Sequence, residues 1–203
     1  MSTTRSQRIG IWIIAVVLAI GTIGSFFVVI LANNNSAKDQ ANAQKQYAEY
    51  QAKVQAQTDE LSSKYYPVLS SFANRVSPFN ADEVTSLTTV DLKEGDGATI
   101  DANTTYSAYY IGWNPEGKIF DQSVDGTKLK APLPGTGLIK GWTEGVKGMK
   151  LGGVRELSIP ADQAYGDQGS GDLIPPHTPI KFVVLAIPTP PTIPLPNFSN
   201  LAN

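Results

Sequence analysis

The sequence predicts an α+β protein in which an antiparallel sheet wraps around one short helix, preceded by a transmembrane helix and a polar helical spacer. Three observations support this prediction. Residues 9–32 contain no charged side chain, and residues 33–64 are rich in Ala, Gln and Lys without Gly or Pro. Short β-type segments separated by turn residues begin near Thr88. The 203 residues are enough for one domain of ordinary size with extensions.

The composition excludes several classes of function. The formal charge is −2 at pH 7 and the basic residues are scattered, which argues against nucleic acid as a partner. The absence of Cys excludes disulfides, thiolate catalysis and cysteine metal sites. Because His177 is the only His, a His-based metal cluster or a Ser–His–Asp triad is not expected. We therefore expect no metal and no cofactor.

Residues 9–32 are predicted to anchor the chain in a membrane. As a helix this run is about 36 Å long, enough for the roughly 30 Å hydrocarbon core of a bilayer. A cleaved signal peptide is the alternative, but its apolar core is usually about 7–15 residues long, and Ile30 stands where its cleavage site needs a small residue. Arg5 and Arg8 precede the run, so residues 1–8 are predicted to be cytoplasmic and everything after Ala32 extracytoplasmic. The expected location is the cell membrane, with a single pass.

Residues 33–87 are predicted to form a helical spacer and linker. A thin apolar seam recurs at helical spacing, formed by Tyr47, Tyr50, Val54, Leu61 and Tyr65. Both a lone solvated helix and a dimerising coiled coil fit this seam. Pro67 is expected to interrupt or kink the helix, with a second short amphipathic helix after it.

Residues 88–188 are predicted to form the folded domain, and residues 189–203 a Pro-rich disordered tail. Only the stretch around Trp142 has the pattern of a helix within the domain, and this helix is short. The tail contains too many prolines for a helix or a central strand. The predicted strands are Thr88–Lys93, Thr104–Trp113, Lys118–Asp121, Lys128–Leu133, Val154–Pro160 and Ile180–Ile187.

Several short motifs of this domain carry information about function. A Trp set between Gly residues on a short helical turn suggests a wall or floor that backbone approaches closely. Around it stand Gly95-Asp96-Gly97, Tyr110-Ile111-Gly112, Gly117-Lys118-Ile119-Phe120-Asp121, Leu138-Ile139-Lys140-Gly141-Trp142, Ala164-Tyr165-Gly166 and Ile174-Pro175-Pro176-His177. Each motif alone is weakly specific, but in this order they resemble the FKBP family of peptidyl-prolyl cis–trans isomerases, the macrolide-binding immunophilins. The resemblance covers about Leu92 to Ile187.

The resemblance implies a half-barrel of antiparallel strands on a short helix, with a pocket between helix and sheet. Trp142 would be the floor, Asp121 would lie at the edge, Tyr165 would offer its hydroxyl, and the N–H of Ile139 would bind a substrate carbonyl. The implied catalytic residues are Tyr110, Phe120, Asp121, Ile139, Trp142 and Tyr165. The implied substrate-binding residues are Leu129, Leu138, Ile174 and Phe182.

The function that the resemblance implies is isomerisation of Xaa-Pro bonds. With the topology predicted above, its substrates would be polypeptides that fold outside the cytoplasm. The alternatives are a non-catalytic module that binds proline-containing segments, and a passive head on a helical interaction scaffold. Leu129 and Ala131 stand where the family usually has two aromatic rings at the pocket rim. This difference weakens the expected affinity for macrolide inhibitors more than the expected isomerase activity.

Overall fold

The computed structural model describes residues 37–197, and the predicted transmembrane segment 9–32 lies outside them. Within the described range, no helix is both long and apolar enough to cross a membrane. The chain divides into two compact units, and the second comprises Asp59–Pro190. Among the described residues, the first unit comprises 37–58 and 191–197. In it, the side-chain amide of Gln57 donates to the carbonyl of Pro191 at 2.9 Å.

Helix α1 spans Ala37–Ser70 and contains Pro67. The helix is therefore not interrupted at Pro67, and the separate helix predicted after it is wrong. Proline within a helix removes one backbone hydrogen bond and costs about 3 kcal/mol. Packing of the last turns offsets this cost, because Leu69 is fully buried and Tyr65 is nearly so. Two single 3₁₀ turns follow, at Ala73–Arg75 and Ala81–Glu83.

The second unit is built on an antiparallel sheet, as predicted. Its strands pair in the order β1-β7-β8-β2-β3, with β6 also paired to β2. Strands β4 and β5 form a separate two-stranded hairpin. The strands are β1 Thr88–Lys93, β2 Tyr106–Trp113, β3 Ile119–Gln122, β4 Val124–Asp125, β5 Lys128–Leu129, β6 Leu133–Pro134, β7 Val154–Ile159 and β8 Ile180–Pro188. The predicted strand Lys128–Leu133 is thus divided between β5 and β6.

Helix α2, Lys140–Gly145, covers one face of this sheet, which we call the inner face. Gly141 and Gly145 let the helix approach strand β7 closely. A Cβ atom on Gly141 would overlap the side chain of Ile159, and one on Gly145 would lie 2.9 Å from Leu157. The helix that the sequence predicted around Trp142 is confirmed, and it lies directly on the sheet.

The opposite, outer face of the sheet is also covered. Residues 59–79 lie on it, and they bury an apolar cluster with Tyr65 and Leu69 at its centre. A salt bridge of 2.7 Å joins Arg75 to the buried carboxylate of Glu156 on this face. The sheet residues of this outer-face cluster are Tyr109, Ile111, Trp113, Val154, Val183, Leu185 and Ile187. The prediction of a spacer over 33–87 therefore missed that residues 59–79 pack on the domain.

Candidate active site

Aromatic rings from three strands and helix α2 meet on the inner face. Phe182 lies at the centre of this aromatic group, with its ring centroid 5.0 Å from Trp142, 5.5 Å from Phe120 and 6.0 Å from Tyr110. Tyr110 also meets Trp142 edge-on, at 5.5 Å and 86°. Edge-to-face contacts of this kind stabilise the rings beyond their burial. The arrangement forms an apolar surface at the junction of helix and sheet.

Gly112 makes room for two of these rings. It pairs with Phe182 across strands β2 and β8. A Cβ atom at this position would lie 2.5 Å from the ring of Phe182 and 2.8 Å from that of Phe120. Any larger residue would push the two rings apart, so this glycine is part of the site.

A β-bulge turns Phe120 and Asp121 toward the same side. Gly112 pairs with Asp121 and Trp113 pairs with Ile119, so Phe120 is an extra residue in strand β3. In a regular strand, successive side chains point to opposite faces, whereas a bulge redirects one of them. Phe120 consequently joins the aromatic group while its neighbour Asp121 contacts Tyr110.

Asp121 and two tyrosines form the polar edge of the group. The Tyr110 hydroxyl donates to Asp121 Oδ2 at 2.5 Å, and the other carboxylate oxygen accepts the N–H of Gln122 at 2.8 Å. Burial, and then the negative charge of Asp121, raise the pKa of Tyr110 well above its ordinary value. The same two causes raise the pKa of Tyr165. Both hydroxyls therefore stay protonated at neutral pH and remain hydrogen-bond donors.

Leu138 and Ile139 stand at the start of helix α2, about one turn before Trp142. Ile139 is buried and caps the helix, and its carbonyl accepts the N–H of Thr143 at 3.1 Å. The far end of the helix is held by Arg155, whose guanidinium donates to the carbonyls of Gly145 and Lys147, each at 2.9 Å. The far end of the short helix is thereby held to strand β7.

Ile174 and Tyr165 belong to one loop region between strands β7 and β8. Ile174 is buried, and its carbonyl accepts the N–H of Ser170 at 2.7 Å. His177 has a positive φ of 60°, and its N–H donates to the carbonyl of Gly166 at 2.9 Å. These bonds close the loop on itself. The His177 imidazole is exposed and lies 3.2 Å from the carboxylate of Asp167.

Comparisons with known proteins identify the family. The family model described as FKBP-type peptidyl-prolyl cis-trans isomerase matches residues 93–186. An FK506-binding protein of Neisseria meningitidis serogroup A is 42% identical over 100 residues, which cover 49% of this chain and 92% of the relative. The chain belongs to the FKBP family.

Two further known proteins are similar to this chain. An FK506-binding protein of Streptomyces anulatus is 48% identical over 83 residues, which are 40% of this chain and 67% of that protein. A crystal structure of a peptidyl-prolyl cis-trans isomerase from Pseudomonas syringae is 33% identical, covers 62% of this chain and 92% of its own, and has a TM-score of 0.44. The family match makes this chain an FKBP-type peptidyl-prolyl cis–trans isomerase.

The structure brings together five of the ten residues that the resemblance to FKBPs implied, and it places Leu129 elsewhere. Ring contacts and one hydrogen bond link Tyr110, Phe120, Asp121, Trp142 and Phe182 into one connected group. Leu129 instead lies in the outer-face cluster with Tyr65 and Tyr109. Its backbone N–H is bound to the hydroxyl of Ser62 in helix α1, and this bond turns the β4–β5 hairpin toward that helix.

Ala131 is exposed, so neither of the two rim positions supplies a ring to this FKBP site. The described part of the chain contains no group of three or more His, Cys, Asp or Glu side chains that could hold a metal ion. The site is consequently a surface of apolar rings with one carboxylate and tyrosine hydroxyls at its edge.

Two residues near the site were missed by the sequence analysis. The Ser123 hydroxyl accepts the backbone N–H of Tyr110 at 3.0 Å, and this bond holds strand β2 to the bulged segment. The Tyr106 hydroxyl accepts the indole N–H of Trp142 at 3.2 Å. Neither contact has a signal in the sequence, because Ser123 and Tyr106 lie outside the motifs and are distant in the chain from their partners.

Proposed function

We propose that this isomerase is anchored in the cell membrane by residues 9–32 and assists the folding of extracytoplasmic proteins by twisting Xaa-Pro amides in its apolar pocket. The observation that supports the catalytic part is the aromatic group formed by Tyr110, Phe120, Trp142 and Phe182. The observation that supports the anchoring is the uncharged run after Arg5 and Arg8.

The chemistry of the reaction suits an apolar site. Rotation about a peptide bond faces a barrier of about 18–20 kcal/mol, and no covalent bond is broken. The twisted amide has lost its resonance and is less polar than the planar form. An environment that excludes water therefore disfavours the planar amide relative to the twisted one. A 10⁴-fold acceleration needs only about 5–6 kcal/mol of such differential stabilisation.

Each residue of the site has a role in this proposal. Trp142 is the floor under the prolyl ring, and Phe120 and Phe182 are walls that exclude water. Leu138 and Ile174 extend the apolar surface on the side of the helix and of the closing loop. The N–H of Ile139 donates to a substrate carbonyl and holds the peptide in a turn-like pose.

The polar edge holds the site in shape in this proposal. Because the Tyr110 hydroxyl is bound to Asp121, the ring of Tyr110 stays fixed against Trp142. Tyr165 keeps its proton and is available to donate to the substrate backbone. No proton is transferred in the reaction, so these groups act by position and not as an acid or a base.

The substrates are proline-containing polypeptides. A macrolide inhibitor would occupy the same pocket, with affinity reduced because Leu129 packs on the outer-face cluster and Ala131 is small. The polar helix before the domain would serve either as a spacer or, through its apolar seam, as a dimerisation element. Sedimentation of the detergent-solubilised full chain decides between monomer and dimer.

The catalytic proposal is tested with a protease-coupled assay and an NMR exchange assay on Xaa-Pro peptides. The full chain should accelerate isomerisation well beyond the uncatalysed rate. Acceleration that is absent in both assays, while the peptides still bind, would overturn it.

Topology is tested by protease protection. When the chain is produced in bacterial cells, protease added to intact spheroplasts should remove the isomerase domain. Protection that is lost only after lysis would place the domain in the cytoplasm and reverse the proposed orientation. A domain found in the soluble fraction after cell breakage would contradict the anchor itself.

A further inference from the structure

Tyr106 lies directly behind the proposed floor of the pocket. It is the first residue of strand β2 and pairs with Pro188 of strand β8. Its side chain is buried, and its hydroxyl accepts the indole N–H of Trp142 at 3.2 Å. Trp142 is itself buried, so this bond forms away from water.

The bond fixes the one polar atom of the Trp142 side chain. An indole has a single N–H donor and no acceptor, so its hydrogen bond determines how the ring is turned within its plane. In this orientation the plane of the indole makes an angle of 86° with the ring of Tyr110 and of 75° with the ring of Phe182. Without an acceptor the buried N–H would be unpaired, and the ring would lose the contact that defines this orientation.

The lack of a side chain at Gly135 leaves room for the ring of Tyr106. A Cβ atom at this position would overlap the phenol ring at Cε1 and Cζ. The N–H of Gly135 also donates to the carbonyl of Tyr106 at 2.9 Å. The Gly-rich segment before helix α2 therefore has room at this point for a large ring, and it holds that ring against the back of Trp142.

We propose that Tyr106, seated against Gly135, is a positioning residue that sets the orientation of the Trp142 indole for the isomerase reaction. This inference rests on the proposed role of Trp142 as the floor under the prolyl ring. Tyr106 touches no substrate and acts only through Trp142. Because the floor stays apolar when the bond is lost, substrate binding is retained and the fit to the twisted amide is reduced.

The test is the Tyr106→Phe variant of the full chain, which keeps the ring and removes only the acceptor. We expect kcat to fall about fivefold with KM nearly unchanged. A roughly fivefold loss is what one missing hydrogen bond would cause if it stabilised only the transition state. In ¹H–¹⁵N spectra, the indole signal of Trp142 should shift and its N–H should exchange faster with solvent. The signals are assigned with Trp12→Phe and Trp113→Phe chains.

Tyr109→Phe is the matched control. Tyr109 is buried on the same strand and faces the outer side, and its hydroxyl has no hydrogen-bond partner among the described residues. This variant should leave kcat and all indole signals unchanged. Gly135→Ala disturbs the same hydrogen bond by displacing the ring of Tyr106. It should shift the Trp142 signal and lower kcat while KM is retained.

The outcomes separate this inference from the proposed function. A wild-type chain without isomerase activity would overturn the proposed function, and the role of Tyr106 would fall with it. An active wild type with an equally active Tyr106→Phe variant, in which the Trp142 signal has moved, would overturn the role of Tyr106 alone. An equal loss in Tyr106→Phe and Tyr109→Phe would also overturn it, because the loss would then reflect general disturbance of strand β2.

Discussion

At the scale of single residues, the site depends on Phe120 and Asp121, which are neighbours in sequence yet do different things. The bulge in strand β3 lets the ring reach Phe182 while the carboxylate reaches Tyr110. Phe120 supplies an apolar wall, whereas Asp121 accepts hydrogen bonds at the edge. A reaction that only requires exclusion of water should depend on the first residue much more than on the second.

We predict that Phe120→Ala lowers kcat/KM for Xaa-Pro isomerisation by more than about tenfold, which corresponds to about 1.4 kcal/mol of transition-state stabilisation. Loss of the ring admits water beside the prolyl amide and favours its planar form. Asp121→Asn should cost much less, since it keeps the size of the side chain and one oxygen acceptor. Steady-state kinetics on an Xaa-Pro peptide series measures both effects.

Both variants must be shown to be folded, because Phe→Ala in a core can cost about 3–5 kcal/mol of stability. With folding confirmed by circular dichroism, an inverted order would mean that the reaction depends on the carboxylate. Asn cannot take or give a proton at neutral pH. A larger loss in Asp121→Asn than in Phe120→Ala would therefore point to acid–base chemistry and contradict the mechanism based on water exclusion.

At the scale of elements, the β4–β5 hairpin connects helix α1 to the site. Its Leu129 N–H donates to the buried hydroxyl of Ser62 at 2.8 Å. The next residue, Lys130, donates its N–H to the carbonyl of Ser123 at 2.8 Å, and the Ser123 hydroxyl in turn accepts the N–H of Tyr110. A short chain of hydrogen bonds therefore runs from the helix to a strand that carries a site residue.

We predict that Ser62→Ala lowers the free energy of unfolding by about 1–3 kcal/mol, because it leaves the buried N–H of Leu129 without an acceptor. Ser63→Ala is the matched control. The Ser63 hydroxyl is exposed and donates only to the carbonyl of Asp59, one turn earlier. Both substitutions gain the same helix propensity, so their difference in urea unfolding isolates the buried bond.

Ser62→Thr, which keeps an acceptor at this position, should recover most of the stability lost in Ser62→Ala. Equal stability of the Ser62→Ala and Ser63→Ala variants would show that water or a shift of the hairpin replaces the bond, and the proposed connection between helix and site would be wrong.

The sequence predicted much at this scale, for reasons that can be stated. Strands such as Thr88–Lys93 were predicted closely because alternation and flanking turn residues are local signals. The position of Phe120 required the resemblance to a family, since a bulge leaves no local signal. The order of the motifs predicted that Leu129 lies at the rim of the pocket. No signal near Leu129 in the sequence indicates that its N–H binds a helix about seventy residues earlier.

The covered outer face did leave a signal. Every residue of strand β2 is buried, and apolar side chains fill both alternating sets of strand β8. Strands that are apolar on both faces are typical of a sheet covered on both sides. Tyr109, Trp113 and Leu185 lie on the outer face, so this rule predicts a second layer that covers them. The apolar residues that could form this layer are Leu61, Tyr65 and Leu69.

At the scale of the whole molecule, the isomerase unit begins before the region that matches the family. The match starts at residue 93, whereas the compact unit starts at Asp59. Residues 59–87 supply Tyr65 and Leu69 to the outer-face cluster and Arg75 to the buried carboxylate of Glu156. Ser77 accepts the indole N–H of Trp113 through its carbonyl at 3.0 Å. This segment acts as a second layer of the domain.

We predict that a fragment of residues 59–190 unfolds cooperatively and is several kcal/mol more stable than a fragment of residues 88–188. The shorter fragment keeps the sheet and helix α2 and is still expected to fold. However, it exposes the outer-face cluster, and each large apolar side chain that becomes exposed costs about 1.5–3 kcal/mol. It also leaves Glu156 with Lys181, at 3.4 Å, as its only remaining ion-pair partner among the described residues. Urea unfolding followed by circular dichroism measures the difference.

Two point variants of the longer fragment separate the causes. Leu69→Ala removes a fully buried side chain and should cost about 2–5 kcal/mol. Arg75→Ala removes the ion pair to the buried Glu156, whose partner Arg75 is itself 45% exposed, and should cost less than Leu69→Ala because solvent screens that side of the pair. Isomerase activity of the folded fraction should persist in both variants, since neither residue contacts the aromatic group. If residues 88–188 proved as stable as 59–190 and bound no more of a hydrophobic dye, the earlier segment would contribute nothing to the fold and the domain would begin where the family match begins.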